Sequence, residues 1–254
     1  MYLNFNIDQF HSITLKKLLA LLTIVAFTIP DIASAQMFSV GDTEERTDTR
    51  LSLYSTLGVS WEIAEFEYQD DDLPPAQRAD FQDSIVRLRF ENPGLYISAG
   101  FGGSFTGMDD RSYLNVNAML YNDIALVRSQ RFILGLPIQI TTDLKSVALQ
   151  QQGDGFQQSS LVFGTGASMQ YRISERVQMS LRATPNYGFS FSQGAFFGGS
   201  LFTTKGVARL FFDEVFGSNT LVFGYDFDFK DYNIDEGQNN YQYLSHSFTV
   251  GIAF

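Results

Sequence analysis

Residues 244–254 constrain the fold of this chain most. Leu244, His246, Phe248, Val250, Ile252 and Phe254 occupy every second position, and Ser245, Ser247, Thr249, Gly251 and Ala253 stand between them. A β-strand sends successive side chains to opposite faces. The segment therefore carries one apolar face and one small, weakly polar face. A helix, with its period of 3.6, would scatter the same residues around its circumference.

The other end of the chain has a different pattern. Lys16 and Lys17 precede an apolar run over 18–29, and Ala33-Ser34-Ala35 follows. A basic stretch, an apolar stretch and a small-x-small site in that order predict a secretory signal peptide over 1–35. The run is shorter than the roughly 20 residues a membrane-spanning helix needs. No longer apolar stretch follows it, so only a closed barrel could carry the remainder across a membrane.

Composition narrows the function classes. The chain has no cysteine, which excludes a disulfide, a thiolate metal site and a cysteine nucleophile. Residues 1–35 contain Asp8, Asp31, Lys16 and Lys17, so the remaining 254 − 35 = 219 residues keep the net charge of −11. Nucleic acid and anionic lipid surfaces are poor partners for such a chain.

After a short segment over 36–50, alternating runs separated by turn residues predict ten strands. They lie at 51–66, 84–91, 94–105, 112–121, 132–143, 160–173, 176–191, 200–212, 220–231 and 242–254. Ten is an even number, as single-chain bacterial barrels have, and the connections alternate between short turns and long polar loops. Residues 122–131 break that pattern, being long where a short turn is expected. Eight strands is the alternative count if that region or the first strand is not as read. Pro137 and Pro185 fall inside strands and lack a ladder donor, so bulges are expected there.

With its signal sequence, alternating strands and terminal Phe254, the chain resembles small bacterial outer-membrane β-barrel proteins of the porin-like superfamily. The resemblance implies an all-β fold: a closed antiparallel up-and-down transmembrane β-barrel over 51–254, integral to the cell outer membrane, with both termini periplasmic. It further implies that Phe248, Val250, Ile252 and Phe254 form the signal read by the barrel-assembly machinery. The surroundings would be outer-membrane lipid and lipopolysaccharide. No cofactor and no metal site are implied.

The parity of the strands selects candidate residues. Arg87, Arg89, Arg172, Arg182, Lys205, Arg209, Asp226 and Asp228 fall on inward faces. They could form a charged constriction that selects small polar solutes, or a plug in which buried charges pair. A ten-strand barrel is only slightly wider than one filled by its side chains, which favours the plug. If the hairpin turns about 215–216, Lys205 lies across from Asp226. The acidic loop with Glu67, Asp70, Asp71, Asp72, Asp80 and Asp83, stiffened by Pro74-Pro75, supplies oxygens but no recognised cation-binding spacing. His246, the only histidine after His11, shares the parity of Phe248 and should face lipid or headgroups. Rim-enzyme chemistry with Ser245 or Ser247 is disfavoured, because neighbours in a strand point oppositely. Trp61, Tyr54, Tyr68, Tyr187, Tyr225, Tyr232, Tyr241 and Tyr243 read as aromatic girdles at the membrane boundaries. The function read from the sequence is a non-enzymatic structural or surface-interaction barrel, with a narrow channel as the alternative.

Overall fold

The computed structural model describes residues 51–69, 79–108, 110–149, 155–192, 199–217, 219–233 and 240–254. The expected signal peptide, the 36–50 segment, Asp70, Asp71, Asp72, Pro74 and Pro75 lie outside the described residues.

Eleven strand segments form one sheet: β1 (Thr56–Tyr68), β2 (Phe81–Asn92), β3 (Leu95–Gly102), β4 (Arg111–Arg128), β5 (Phe132–Leu149), β6 (Gly155–Thr165), β7 (Ala167–Ser174), β8 (Val177–Ser192), β9 (Gly199–Phe216), β10 (Asn219–Asn233) and β11 (Tyr241–Ala253). All neighbours are antiparallel. β1 pairs with β11 from Thr56↔Ala253 to Tyr68↔Tyr241, and β4 pairs with β5, so the sheet closes on itself. β6 and β7 both lie between β5 and β8 and are the two halves of one stave. The fold is a closed antiparallel barrel of ten staves.

Residues 122–131 are not a long connection. β4 runs on to Arg128 and β5 starts at Phe132, joined by a three-residue turn in which the Ser129 N–H donates to the Phe132 carbonyl at 2.8 Å. Short turns therefore occupy one end of the barrel, together with both ends of the barrel chain. The first strand begins later than expected, at Thr56. Residues 51–55 do something else, described below.

The expected bulges at Pro137 and Pro185 do not form; both ladders keep their register there. Instead the two prolines converge on the neighbouring stave. Ile138 faces Thr165 and Gly135 faces Ser168, which sets Pro137 opposite Gly166. Gly164 faces Asn186 and Ala167 faces Ala183, which sets Pro185 opposite Thr165. A proline on each side withholds a donor from these two residues, and the stave is interrupted there without a change of register.

The two faces of the wall are inverted relative to a water-soluble protein. On β1, Leu57, Val59, Trp61 and Ile63 are about half exposed, while Ser60 and Glu62 are each 2% exposed. The same holds around the ring, with Leu88, Ile138, Ile140, Phe163, Phe223, Val250 and Ile252 outside. An apolar exterior around a polar interior suits a hydrocarbon solvent, and a closed barrel leaves no unpaired edge in it. This is a membrane-spanning barrel of the outer-membrane type.

The aromatic girdle needs correction. Trp61, Tyr187 and Tyr225 do face outward, but Tyr68, Tyr232, Tyr241 and Tyr243 are buried inside the barrel, and Tyr54 sits in its turn-side mouth. Their parity matches that of Phe66 and Glu62, not that of Trp61.

Candidate functional site: a charge-filled lumen

The lumen is filled in three layers. At the loop side lies an aromatic cap. Phe66 from β1 stacks on Tyr241 with ring centroids 4.8 Å apart and contacts Phe156 at 5.0 Å, Phe81 at 5.7 Å and Tyr232 at 6.4 Å. Ile85, Tyr113, Val147 and Leu201 belong to the same cluster. Beneath it the ammonium of Lys145 rests 3.7 Å from the Tyr243 ring centre, 4.9 Å from Tyr232 and 5.0 Å from Phe66. Its Nζ is buried without a hydrogen-bond partner among the described residues. Attraction to three ring faces stands in for an anion.

The middle layer is ionic. The Arg87 guanidinium donates to both Glu62 oxygens, at 2.6 and 3.2 Å, and to Asn115 at 2.7 Å. Tyr243 donates its hydroxyl to Glu62, and Asn115 donates in turn to Asp143. Lys230 pairs with Asp143 at 2.7 Å and with Asp228 at 3.5 Å. One level down, Asp226 pairs with Arg89 at 3.0 Å and accepts from Arg209 at 3.0 and 3.1 Å. Arg209 also reaches Glu91 at 2.5 Å, and Arg89 donates to Ser247 at 2.7 Å. Lys205 lies over the Tyr96 ring at 4.2 Å. Buried charges are tolerated only when paired and fully hydrogen-bonded, and these mostly are. The space left between them is a cavity of about 20 Å³, room for about one water molecule.

The third layer closes the turn-side mouth with the chain's own residues 51–55. Ser52 donates its N–H to Gln178 and accepts from the Gln178 amide at its carbonyl, both at 2.9 Å. Its hydroxyl accepts from Arg172 at 2.9 Å. Tyr54 stacks on Phe211 at 4.5 Å and donates to Asp213 at 2.6 Å. Asp213 also binds Arg172 and Thr220. The segment thus reaches from β1 to β7, β8 and β9. Burial of Tyr54, reinforced by its bond to the Asp213 carboxylate, raises the pKa of its hydroxyl above the ordinary value.

The sequence candidates divide by position. Arg87, Arg89, Lys205, Arg209, Asp226 and Asp228 meet in the middle layer. Arg172 belongs to the mouth, and Arg182 stands apart, 3.3 Å from Asp123 and over the Tyr121 ring at 3.9 Å. The register differs from the expected one: Lys205 faces Asp228, and Val207 faces Asp226. β9 runs on to Phe216 and β10 begins at Asn219, with an irregularity between Asn219 and Leu221, so the hairpin does not turn about 215–216. Glu62, Glu91, Asp143, Lys145, Asp213 and Lys230 were not among the candidates. Glu62 and Lys230 were findable by parity alone, since they share the face of Ser60 and of Asp228. Lys145 lies beyond the expected end of β5 at 143, in the strand that the structure carries on to Leu149.

Outside the lumen, Asp80 accepts from the Tyr68 N–H at 2.7 Å. Among the described residues no group of carboxylates and histidines is arranged to hold a metal ion. His246 faces outward and shares a 2.7 Å hydrogen bond through Nδ1 with the Tyr225 hydroxyl, while Ser245 and Ser247 point into the lumen and are each 2% exposed.

No protein-family model matches the chain, and no curated protein sequence matches it. Among solved structures it is similar to Ail, the attachment invasion locus protein of Yersinia pestis, with 10% identity and a TM-score of 0.25 over 80% of this chain and 100% of that chain. A second structure, Ail in complex with the heparin analogue sucrose octasulfate, aligns at 13% identity with a TM-score of 0.24 and the same coverage. Both superpositions are loose.

Proposed function

We propose that this protein is an integral barrel of a Gram-negative outer membrane with a closed lumen, which works through its loop-side surface or as a structural element of the envelope. The observation that carries this reading is the 20 Å³ void at the centre of the ionic layer. A conducting pore needs a continuous water path, and side chains of both signs occupy that path here. The aromatic cap above and residues 51–55 below support the same reading. A non-catalytic role fits His246, whose hydrogen bond goes to Tyr225.

Both termini belong on the periplasmic side in this reading, since short turns characterise that side of such barrels. Phe248, Val250, Ile252 and Phe254 then form the outward face of the strand that closes the barrel against β1, available to the assembly machinery. Lipopolysaccharide and outer-membrane lipid would surround the wall.

The test is single-channel conductance of the refolded 36–254 chain in a planar bilayer, beside an Arg89→Ala/Asp226→Ala variant. The wild type should be silent. Resolved steps in the wild type that change with the variant would replace this reading with a narrow channel for small polar solutes.

A further inference from the structure

The outer wall is not uniformly bulky. Two adjacent rows of side chains cross it at right angles to the strands. One runs Tyr225, Ala208, Leu181, Met169, Leu134 through successive registered pairs. The next runs His246, Phe227, Gly206, Ala183, Ala167. Gly206, Ala183, Ala167 and Ala208 thus form a shallow floor across three staves, next to larger outward side chains such as Leu181, Met169 and Leu134. The result is an apolar trench of about 380 Å³, bounded by Leu134, Met169 and Leu181 and ended by Tyr225. It is continuous with the lipid-facing surface of the barrel.

A second feature adjoins the trench. Tyr225 and His246 are polar, outward-facing and hydrogen-bonded to one another on a wall that meets hydrocarbon. Water cannot satisfy such groups there. His246 lies near the loop-side edge of the apolar band: it faces Ile63, and the next outward residue on β1 is the charged Glu65, which faces Leu244. On β8, by contrast, the row crosses at Ala183, with Pro185, Tyr187 and Phe189 still above it toward the loop side. The trench therefore runs obliquely, from a polar pair near the membrane boundary down into the hydrophobic band. A lipid has that distribution of polarity along its length.

We propose that the trench is a lipid-binding site. It holds one acyl chain of a loop-side-leaflet lipid along Gly206, Ala183 and Ala167, and an ester or hydroxyl oxygen near the head of that lipid meets the Tyr225–His246 pair.

The test uses the refolded barrel in phosphatidylcholine vesicles doped with a phosphatidylcholine that carries a diazirine in one acyl chain. After illumination, labelled peptides are mapped by mass spectrometry. Labelling should concentrate around Ala167, Ala183 and Gly206 relative to Val59 and Leu88 on another part of the wall. Ala183→Phe and Ala208→Phe, which fill the trench from different rows, should each abolish the concentration. His246→Leu, which leaves the trench open, should weaken it. Folding of every variant is checked by its gel mobility before and after boiling, and if a filling variant fails to fold the wild-type map decides. Uniform labelling of the band, or labelling that survives both filling variants, would overturn the proposal. So would cross-links joining two protein copies through the trench, which would assign the surface to a second copy of the chain.

Discussion

Glu62 and Arg87, diagonal neighbours on β1 and β2, form a two-bond pair with N···O distances of 2.6 and 3.2 Å. Asn115 and Ser98 accept further hydrogen bonds from Arg87, and Tyr243 donates to Glu62. Both side chains are buried, so removing one partner strands the other. Glu62→Leu is expected to destabilise the barrel by roughly 3–5 kcal/mol, because the Arg87 charge stays buried without its anion. The double variant Glu62→Leu/Arg87→Leu should recover much of that loss. Urea unfolding of the refolded barrel in lipid vesicles measures both, and a double variant no better than the single would show that the charges do not act as a pair.

Lys145 makes the opposite case. Its ammonium has three aromatic faces and, among the described residues, no hydrogen-bonded anion. A buried charge so placed carries a desolvation cost that ring faces offset only in part. Lys145→Met keeps the length of the side chain and removes the charge. It is expected to unfold at the same urea concentration as the wild type or a higher one. A lower midpoint would mean that the cation–π cage is a net stabiliser of the cap.

Ser52 and Tyr54 hold the mouth but do not complete the seal by themselves. Above them, Arg209 bridges Glu91 and Asp226. Ser52→Ala/Tyr54→Ala should therefore loosen the mouth while leaving the barrel electrically silent. Proteolysis near residue 51 should accelerate, and bilayer recordings should stay flat. Conductance in this variant would make the 51–55 segment the sole barrier.

Much of this architecture was legible because a strand's period of two is unambiguous where one face is greasy. The terminal strand, the run from Leu221 to Phe229 and the alternation of Arg87 and Arg89 could only be read one way. Three things were not legible. Strand ends depend on partners: β5 continues through Lys145 because β4 and β6 both extend beside it, and nothing local to residues 144–149 says so. The register of β9 against β10 depends on where the turn falls and on an irregularity beside it: the Phe216–Asn219 pair continued unbroken would set Lys205 opposite Lys230, and the irregularity sets it opposite Asp228. The tyrosines misled because a tyrosine suits a membrane boundary and a packed lumen equally well. Only the parity of Tyr241 and Tyr243 with Ser245 separates the two.

The outward face makes a sharp prediction at Phe223, which is 44% exposed and stands two positions along β10 from Tyr225. Phe223→Arg places a charge in the hydrocarbon band and should cost roughly 2–4 kcal/mol if the site is near mid-membrane. The variant should refold in lower yield into vesicles. Full yield would place Phe223 outside the band and contradict the lipid-facing assignment of β10.

Gly166 tests the interrupted stave. A Cβ built on it would lie 2.0 Å from the Ala183 carbonyl oxygen and 2.9 Å from the Thr184 Cα. Both are backbone atoms, fixed by the pairing of β8 with β9, so the clash cannot be relieved by rotating a side chain. Gly166→Ala is expected to cost about 1–3 kcal/mol, the range for overpacking a tight site, and to do so by pushing the β6–β7 stave off β8. Gly206→Ala provides the contrast: its nearest contact would be the Phe227 Cβ at 3.6 Å, an ordinary separation, and the change should stay within about 0.5 kcal/mol of the wild type. Unfolding midpoints of the two variants measured side by side decide the matter. If Gly166→Ala matches Gly206→Ala, the close approach of the staves at Gly166 does not exist in the membrane.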